Sequence, residues 1–136
     1  MRRNFVLGFL ILCAAFFALT GGSSLSAPAK FADRLGYSLI ALDGFNEIRA
    51  QYGGFFLAAC IANLLAIFRI VPRSAALFVD STVFGGLIAG RLMSLGFDGG
   101  PGAFGPVIHA LYFIDAAGFL LSIAALLNER KSLRQE

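Results

Sequence analysis

Charge is scarce in this chain: Lys, Arg, Asp and Glu make up 14% of its 136 residues, against 58% hydrophobic residues. A soluble domain of this length needs far more polar surface, so that class is excluded, and no stretch reads as a soluble domain or a low-complexity tail. Cysteine is equally sparse. Cys13 and Cys60 lie far apart, without C-x-x-C or metal-ligand spacing, and read as small buried hydrophobes. Histidine occurs once, as His109; no haem-ligand pair or flavin signature is recognisable, and neither a cofactor nor a metal is expected. Strict apolar–polar alternation is absent too, which argues against a membrane β-barrel. What remains is long apolar sequence, with a mean hydropathy of +0.80. The chain reads as an all-α integral membrane protein, since helices satisfy every backbone group internally.

Four stretches reach the roughly 20 residues needed to cross a hydrocarbon core. They run from about 5 to 24, 52 to 70, 75 to 97 and 106 to 127, and form a single transmembrane four-helix domain. Between the first two, Ala27 to Phe45 sets Lys30, Asp33, Arg34 and Asp43 among Phe31, Leu35, Leu39, Ile40 and Leu42, a pattern that predicts a short interfacial helix. Pro72 is expected to end the second span at or just before Val71.

Basic residues set the orientation, because Lys and Arg are retained on the cytoplasmic side. Arg2 and Arg3, then Arg69 and Arg73, then Arg130, Lys131 and Arg134 fall on one side if the chain crosses four times. Both termini are then cytoplasmic, in a multi-pass protein of a bacterial inner membrane. The net charge of +3 comes mainly from these clusters, so no nucleic-acid partner is expected. The first span has a second reading as a cleavable signal peptide ending near Ala27-Pro28-Ala29, although the proline is awkward there. Leu12 before Cys13 does not suit a lipoprotein cleavage site. Either reading leaves the other spans in the same orientation.

Ionisable residues inside a membrane cost about 2.5–3.5 kcal/mol at mid-depth, so each needs a partner, water or a function. Arg91 lies about 9 Å below Phe97 at 1.5 Å per helical residue; Asp115 and His109 lie about 13 Å and about 5 Å below Pro106. Arg91 and Asp115 are therefore within reach of one another. Asn46, Glu47, Arg49 and Tyr52 open the second span in the same layer as Arg91, Asp98, His109 and Asp115, and this layer is the candidate site. Three readings remain open for it. The charges lock the helices in register, or Arg49 and Arg91 bind a polar or anionic group, or Glu47 and His109 perform acid–base chemistry. Asp80, near the cytoplasmic end of the third span and level with Asn63, is expected to snorkel toward the interface.

Glycines carry a second set of expectations. Gly53 and Gly54 would let another helix approach closely, as would the G-x-x-x-G of Gly86 and Gly90, which is expected to pack within the bundle. Gly100-Pro101-Gly102-Ala103-Phe104-Gly105 matches G-x-G-x-x-G but follows a membrane helix instead of a strand, so it reads as a turn, with Pro106 opening the last helix.

The stretches "NEIRAQYGG" and "GGLIAGRLMSLGFDG", followed by a final apolar span, resemble a bacterial family of small four-helix membrane proteins known as domain of unknown function 4345. The resemblance runs from about Leu42 to Leu127, and Asn46, Glu47, Arg49, Tyr52, Gly53, Gly54, Gly90, Arg91, Asp98 and Gly99 match its pattern. It implies the four-helix membrane fold and no activity. More distantly the pattern is similar to DoxX-like membrane proteins, some of them linked with quinone redox systems. The expectation is thus a non-enzymatic binding or accessory protein. Its partners would be membrane lipid, a small polar or lipid head-group ligand, and either a second copy or another membrane protein. The alternatives are an enzyme on a lipid-like or quinone-like substrate, using Glu47, Arg49, Arg91 and His109, and a small transporter, which would need a polar path.

Overall fold

A computed structural model describes residues 2–133. Arg134, the last basic residue used to orient the chain, lies outside the described residues. Five helices follow one another, with no strand among the described residues: α1 (Arg2–Ser26), α2 (Pro28–Arg34), α3 (Leu42–Ile67), α4 (Arg73–Phe97) and α5 (Pro106–Leu133). Four of them, α1, α3, α4 and α5, are long and apolar enough to cross a membrane. Each packs against the next, and α5 closes onto α1, while α1 and α4, the diagonal pair, meet chiefly through side chains such as Phe17 and Phe84. The result is the expected all-α four-helix bundle. One end carries the start of α1, the end of α5 and the α3–α4 turn; the other, called here the loop end, carries α2, the link after it and the α4–α5 turn.

The core follows helical spacing. On α1, Val6, Phe9, Leu10, Cys13, Ala14 and Phe17 recur every three or four residues and are buried. The opposite face is no more polar: Ile11, Leu12 and Leu19 are exposed, as are Phe78 and Met93 on α4 and Phe113 on α5. Helices apolar all round suit a lipid surround.

Several boundaries differ from expectation. The helix of the second span begins at Leu42, ten residues before Tyr52, because nothing between Leu42 and Tyr52 breaks a helix and Asp43 sits favourably in its first turn. A short helix between the first two spans is present as α2, opened by Pro28, but Leu42 and Asp43 belong to α3. Pro72 does not end α3. The helix stops at Ile67 through a turn in which the Ile70 N–H reaches the Leu65 carbonyl and Arg69 takes a positive φ of 61°. That position usually favours glycine. Pro72 instead precedes α4. α5 continues past residue 127 to Leu133, with Arg130 and Lys131 favourably placed in its last turn.

The glycine-rich segment is the expected turn, with positive φ at Gly99 and Gly100 before a single 3₁₀ turn at Pro101–Ala103. Close helix contacts are made at other glycines than the G-x-x-x-G pair. A β-carbon on Gly118 would stand 2.6 Å from Phe84 Cδ1, and one on Gly85 would stand 3.0 Å from Phe119 Cε2, so α4 and α5 each set a ring against the other's glycine. Gly53 holds the α1–α3 contact as expected, 2.5 Å from Leu25 Cδ2 by the same measure. Gly86 and Gly90 are exposed with nothing within 4 Å of such a carbon, and Gly54 meets only the Arg49 carbonyl at 3.9 Å. The spacing of Gly86 and Gly90 is real, but it lies on the outward side of α4.

Candidate functional site

At the loop end the helices splay around a cavity of about 520 Å³. Its apolar walls come from Phe16 and Leu19 of α1, Phe31 of α2, Phe56 of α3, Leu87 of α4 and Leu111 of α5. Its polar groups are Thr20 and Ser23 one turn apart on α1, Arg34 and Tyr37 from α2 and the link after it, Tyr52 of α3, Arg91 of α4 and Asp115 of α5. Every helix contributes, and α2 with its following link forms one wall of the cavity.

The polar centre is an ion pair across α4 and α5. Arg91 Nε donates to Asp115 Oδ2 at 2.5 Å; the Asp115 side chain is 1% exposed and that of Arg91 20%. Tyr112 completes the support: its hydroxyl donates to the Arg91 backbone carbonyl at 2.7 Å, and its ring centroid lies 6.0 Å from the guanidinium carbon. The depth estimate for Arg91 and Asp115 thus translates into contact. A guanidinium carries five N–H donors, of which the Nε bond uses one. The arrangement can hold a fixed, planar cation at the wall of an apolar cavity, where hydrogen bonds to a polar group are stronger than in water.

Tyr52 reaches the cavity from an irregular helix. Ile48–Gly54, inside α3, forms a π-helical segment with i to i+5 bonding, a rare form often found at functional sites. Within it Gly53 faces α1 while Tyr52 stacks on Phe56 at 6.2 Å and meets Phe31 of α2 at 5.2 Å. Tyr52 also lies within electrostatic reach of Tyr37 and Arg91. The "NEIRAQYGG" stretch therefore reaches the cavity through Tyr52 and not through its charges.

The remaining residues of the expected layer divide clearly. Tyr52, Arg91 and Asp115 come together at the cavity. Asn46, Glu47, Arg49 and Asp98 are exposed, make no side-chain hydrogen bond or ion pair among the described residues, and do not line it. His109 is half-buried on α5 and also lies outside the lining. Sequence reasoning missed Thr20, Ser23, Arg34 and Tyr37. Thr20 and Ser23 carry a weak signal in their one-turn spacing near the end of an apolar run; Arg34 and Tyr37 flank Leu35 and Gly36 in the stretch between the first two spans.

Below the cavity lies a layer of rings. Phe17 stacks on Phe84 at 5.5 Å and meets Phe56 at 5.6 Å, and Phe16 approaches Phe84 at 5.9 Å. Under this floor sits a second polar group, where the structure corrects the expectation for Asp80. Asp80 is 0% exposed and does not snorkel. Its Oδ1 accepts from Asn63 Nδ2 at 2.7 Å, and the Cys13 thiol lies within electrostatic reach of the same carboxyl group. Asn63 Nδ2 also donates to the Ala59 carbonyl at 3.0 Å. The α4 register turns Asp80 inward onto α1 and α3, so a side chain of its length cannot reach the interface. Asp80 Oδ2 and Asn63 Oδ1 are buried without a hydrogen-bond partner among the described residues. No group of three or more His, Cys, Asp or Glu among the described residues could hold a metal ion.

A family model described as a domain of unknown function (DUF4345) matches residues 6–121, which takes in the first span as well as the stretch from Leu42 onward. No curated protein and no solved structure matches the chain.

Proposed function

The chain belongs to the family of domain of unknown function 4345, and on that premise we propose that it is a non-enzymatic membrane protein that binds an amphiphilic small molecule in its loop-end cavity. One observation carries this reading: a cavity of about 520 Å³, apolar over most of its wall, in which Arg91, Asp115 and Tyr52 converge with Tyr37 and Arg34. That volume lies in the range of small-molecule sites, and a few fixed polar groups in apolar walls are what orient a ligand. The polar head of the ligand sits by Arg91 and the tyrosines, and its apolar body lies along Phe16, Leu19 and Leu87. Glu47 and Arg49 stand outside the cavity, so the enzyme reading built on them has less support than binding.

The basic residues of the opposite end, Arg69, Arg73, Arg130 and Lys131, favour that end as cytoplasmic. The cavity then opens toward the periplasmic leaflet of a bacterial inner membrane. The transporter reading finds little support, because the aromatic floor separates the cavity from Asp80.

Native mass spectrometry in detergent tests the binding reading. Wild type is expected to carry an amphiphile adduct that Thr20→Phe, which fills the cavity from α1, removes without loss of folding. An adduct that survives Thr20→Phe, or a wild type that carries none and takes up no added lipid, overturns it.

A further inference from the structure

Resting on that reading of the cavity, we infer that its ligand carries a single negative charge on its head group, held by Arg34. The cavity wall contains two cations, Arg34 and Arg91, and one anion, Asp115. Asp115 is committed to Arg91 through the Nε contact, and both charges are largely withdrawn from solvent. Arg34 is exposed, lines the cavity and makes no ion pair among the described residues. One positive charge is therefore left over at a cavity whose other lining groups are apolar or uncharged polar.

The placement is that of an amphiphile's head. Arg34 closes α2 as its last residue, beside Phe31 and Leu35, which also line the cavity. A guanidinium fork on this short helix can take a carboxylate or phosphate oxygen pair. Tyr37 and Tyr52 supply hydroxyl donors, and the chain of the ligand continues over Phe16, Leu19 and Leu87. A neutral head would forgo the charge-assisted bond to Arg34, and a cationic head would face like charge. The shared chemistry is a monoanionic head on an apolar chain, whether a free fatty-acid carboxylate or the phosphodiester of an anionic phospholipid.

The chain provides its own reporter. It contains no Trp and three Tyr, and all three stand at this site: Tyr37 and Tyr52 in the wall, Tyr112 hydrogen-bonded to Arg91. Bromine quenches tyrosine emission at short range, so 9,10-dibromostearate added to the full chain in neutral detergent should quench it saturably. The matching dibromostearyl alcohol should bind at least tenfold more weakly. Arg34→Gln should abolish the preference and retain alcohol binding; Arg34→Lys should restore most of it. Equal binding of acid and alcohol by wild type overturns the charge assignment and leaves the cavity reading standing. A preference that survives Arg34→Gln overturns the role of Arg34. Quenching that never saturates with either probe is simple partition into detergent, and it overturns both readings together. Relief of the quenching by unbrominated phosphatidylglycerol, but not by phosphatidylcholine, assigns the head to a phospholipid; no relief by either assigns it to the single-chain acid.

Discussion

Two carboxylates are buried in this bundle, one at each end, and their surroundings are opposite. Asp115 meets a guanidinium at the wall of a cavity; Asp80 meets an amide and a thiol in a packed core beneath the aromatic floor. At the loop end charge is balanced by charge and space is left open. At the other end space is filled, and two acceptors are left without donors among the described residues. The difference teaches that a buried acid by itself does not mark a binding site. An open cavity with donors fixed around it does, whereas an amide-paired acid between tightly packed helices serves to register α3 against α4.

Substitutions test that contrast, and the largest effect is expected at the ion pair. Asp115→Ala leaves Arg91 with an uncompensated charge inside the bundle and should destabilise it by about 3 kcal/mol, the lower end for a broken buried pair because Arg91 keeps some access to the cavity. Denaturant titration in detergent reads this, and a loss below about 1 kcal/mol would mean that water in the cavity already screens the pair. Next comes the floor that divides the two ends. Gly118→Ala drives a β-carbon into the Phe84 ring and should cost about 2 kcal/mol. Gly53→Ala should cost less, since the obstructing Leu25 side chain is exposed and can swing away.

At the sealed end the sign reverses. Asp80→Asn replaces an acceptor by an amide that can donate to Asn63 Oδ1 while still accepting from Asn63 Nδ2, and should raise stability by about 1 kcal/mol. A drop in thermal unfolding temperature would show that the carboxyl group is needed there, and the contrast between the two ends would narrow. The smallest effect is expected outside both. Gly86→Ala meets open space and should leave stability within about 0.5 kcal/mol of wild type. A larger loss, together with a change in oligomeric state by native mass spectrometry, would place a second copy against that face of α4.

Much of this was legible in the sequence, and the reasons are specific. The four spans follow from apolar length, and the Arg91–Asp115 meeting follows from rise per residue, because two antiparallel helices joined by a short turn fix depth. Rotation about the helix axis is another matter. Asp80 sits at the expected depth but faces inward, and Gly86 faces outward, since a helix that is apolar on all sides gives no amphipathic stripe from which to read its facing. Glu47 and Arg49 look like site residues because they are charges at the mouth of a span, yet the helix extends to Leu42 and carries them outside the cavity. The π-helical turn at Ile48–Gly54 has no signature beyond two adjacent glycines.

By itself, then, the sequence determined the membrane-like all-α class, the four helices long and apolar enough to cross, and the shared level of Arg91 and Asp115, because hydrocarbon thickness and helical rise turn residue counts into distances. Only the tertiary structure decided which side of each helix faces its neighbours. It brought Thr20, Ser23, Arg34 and Tyr37 to the same cavity as Arg91 and sealed Asp80 away with Asn63. Side-chain facing is set by ring-into-glycine packing between helices, such as Phe84 on Gly118, and that information lies in pairs of residues far apart along the chain.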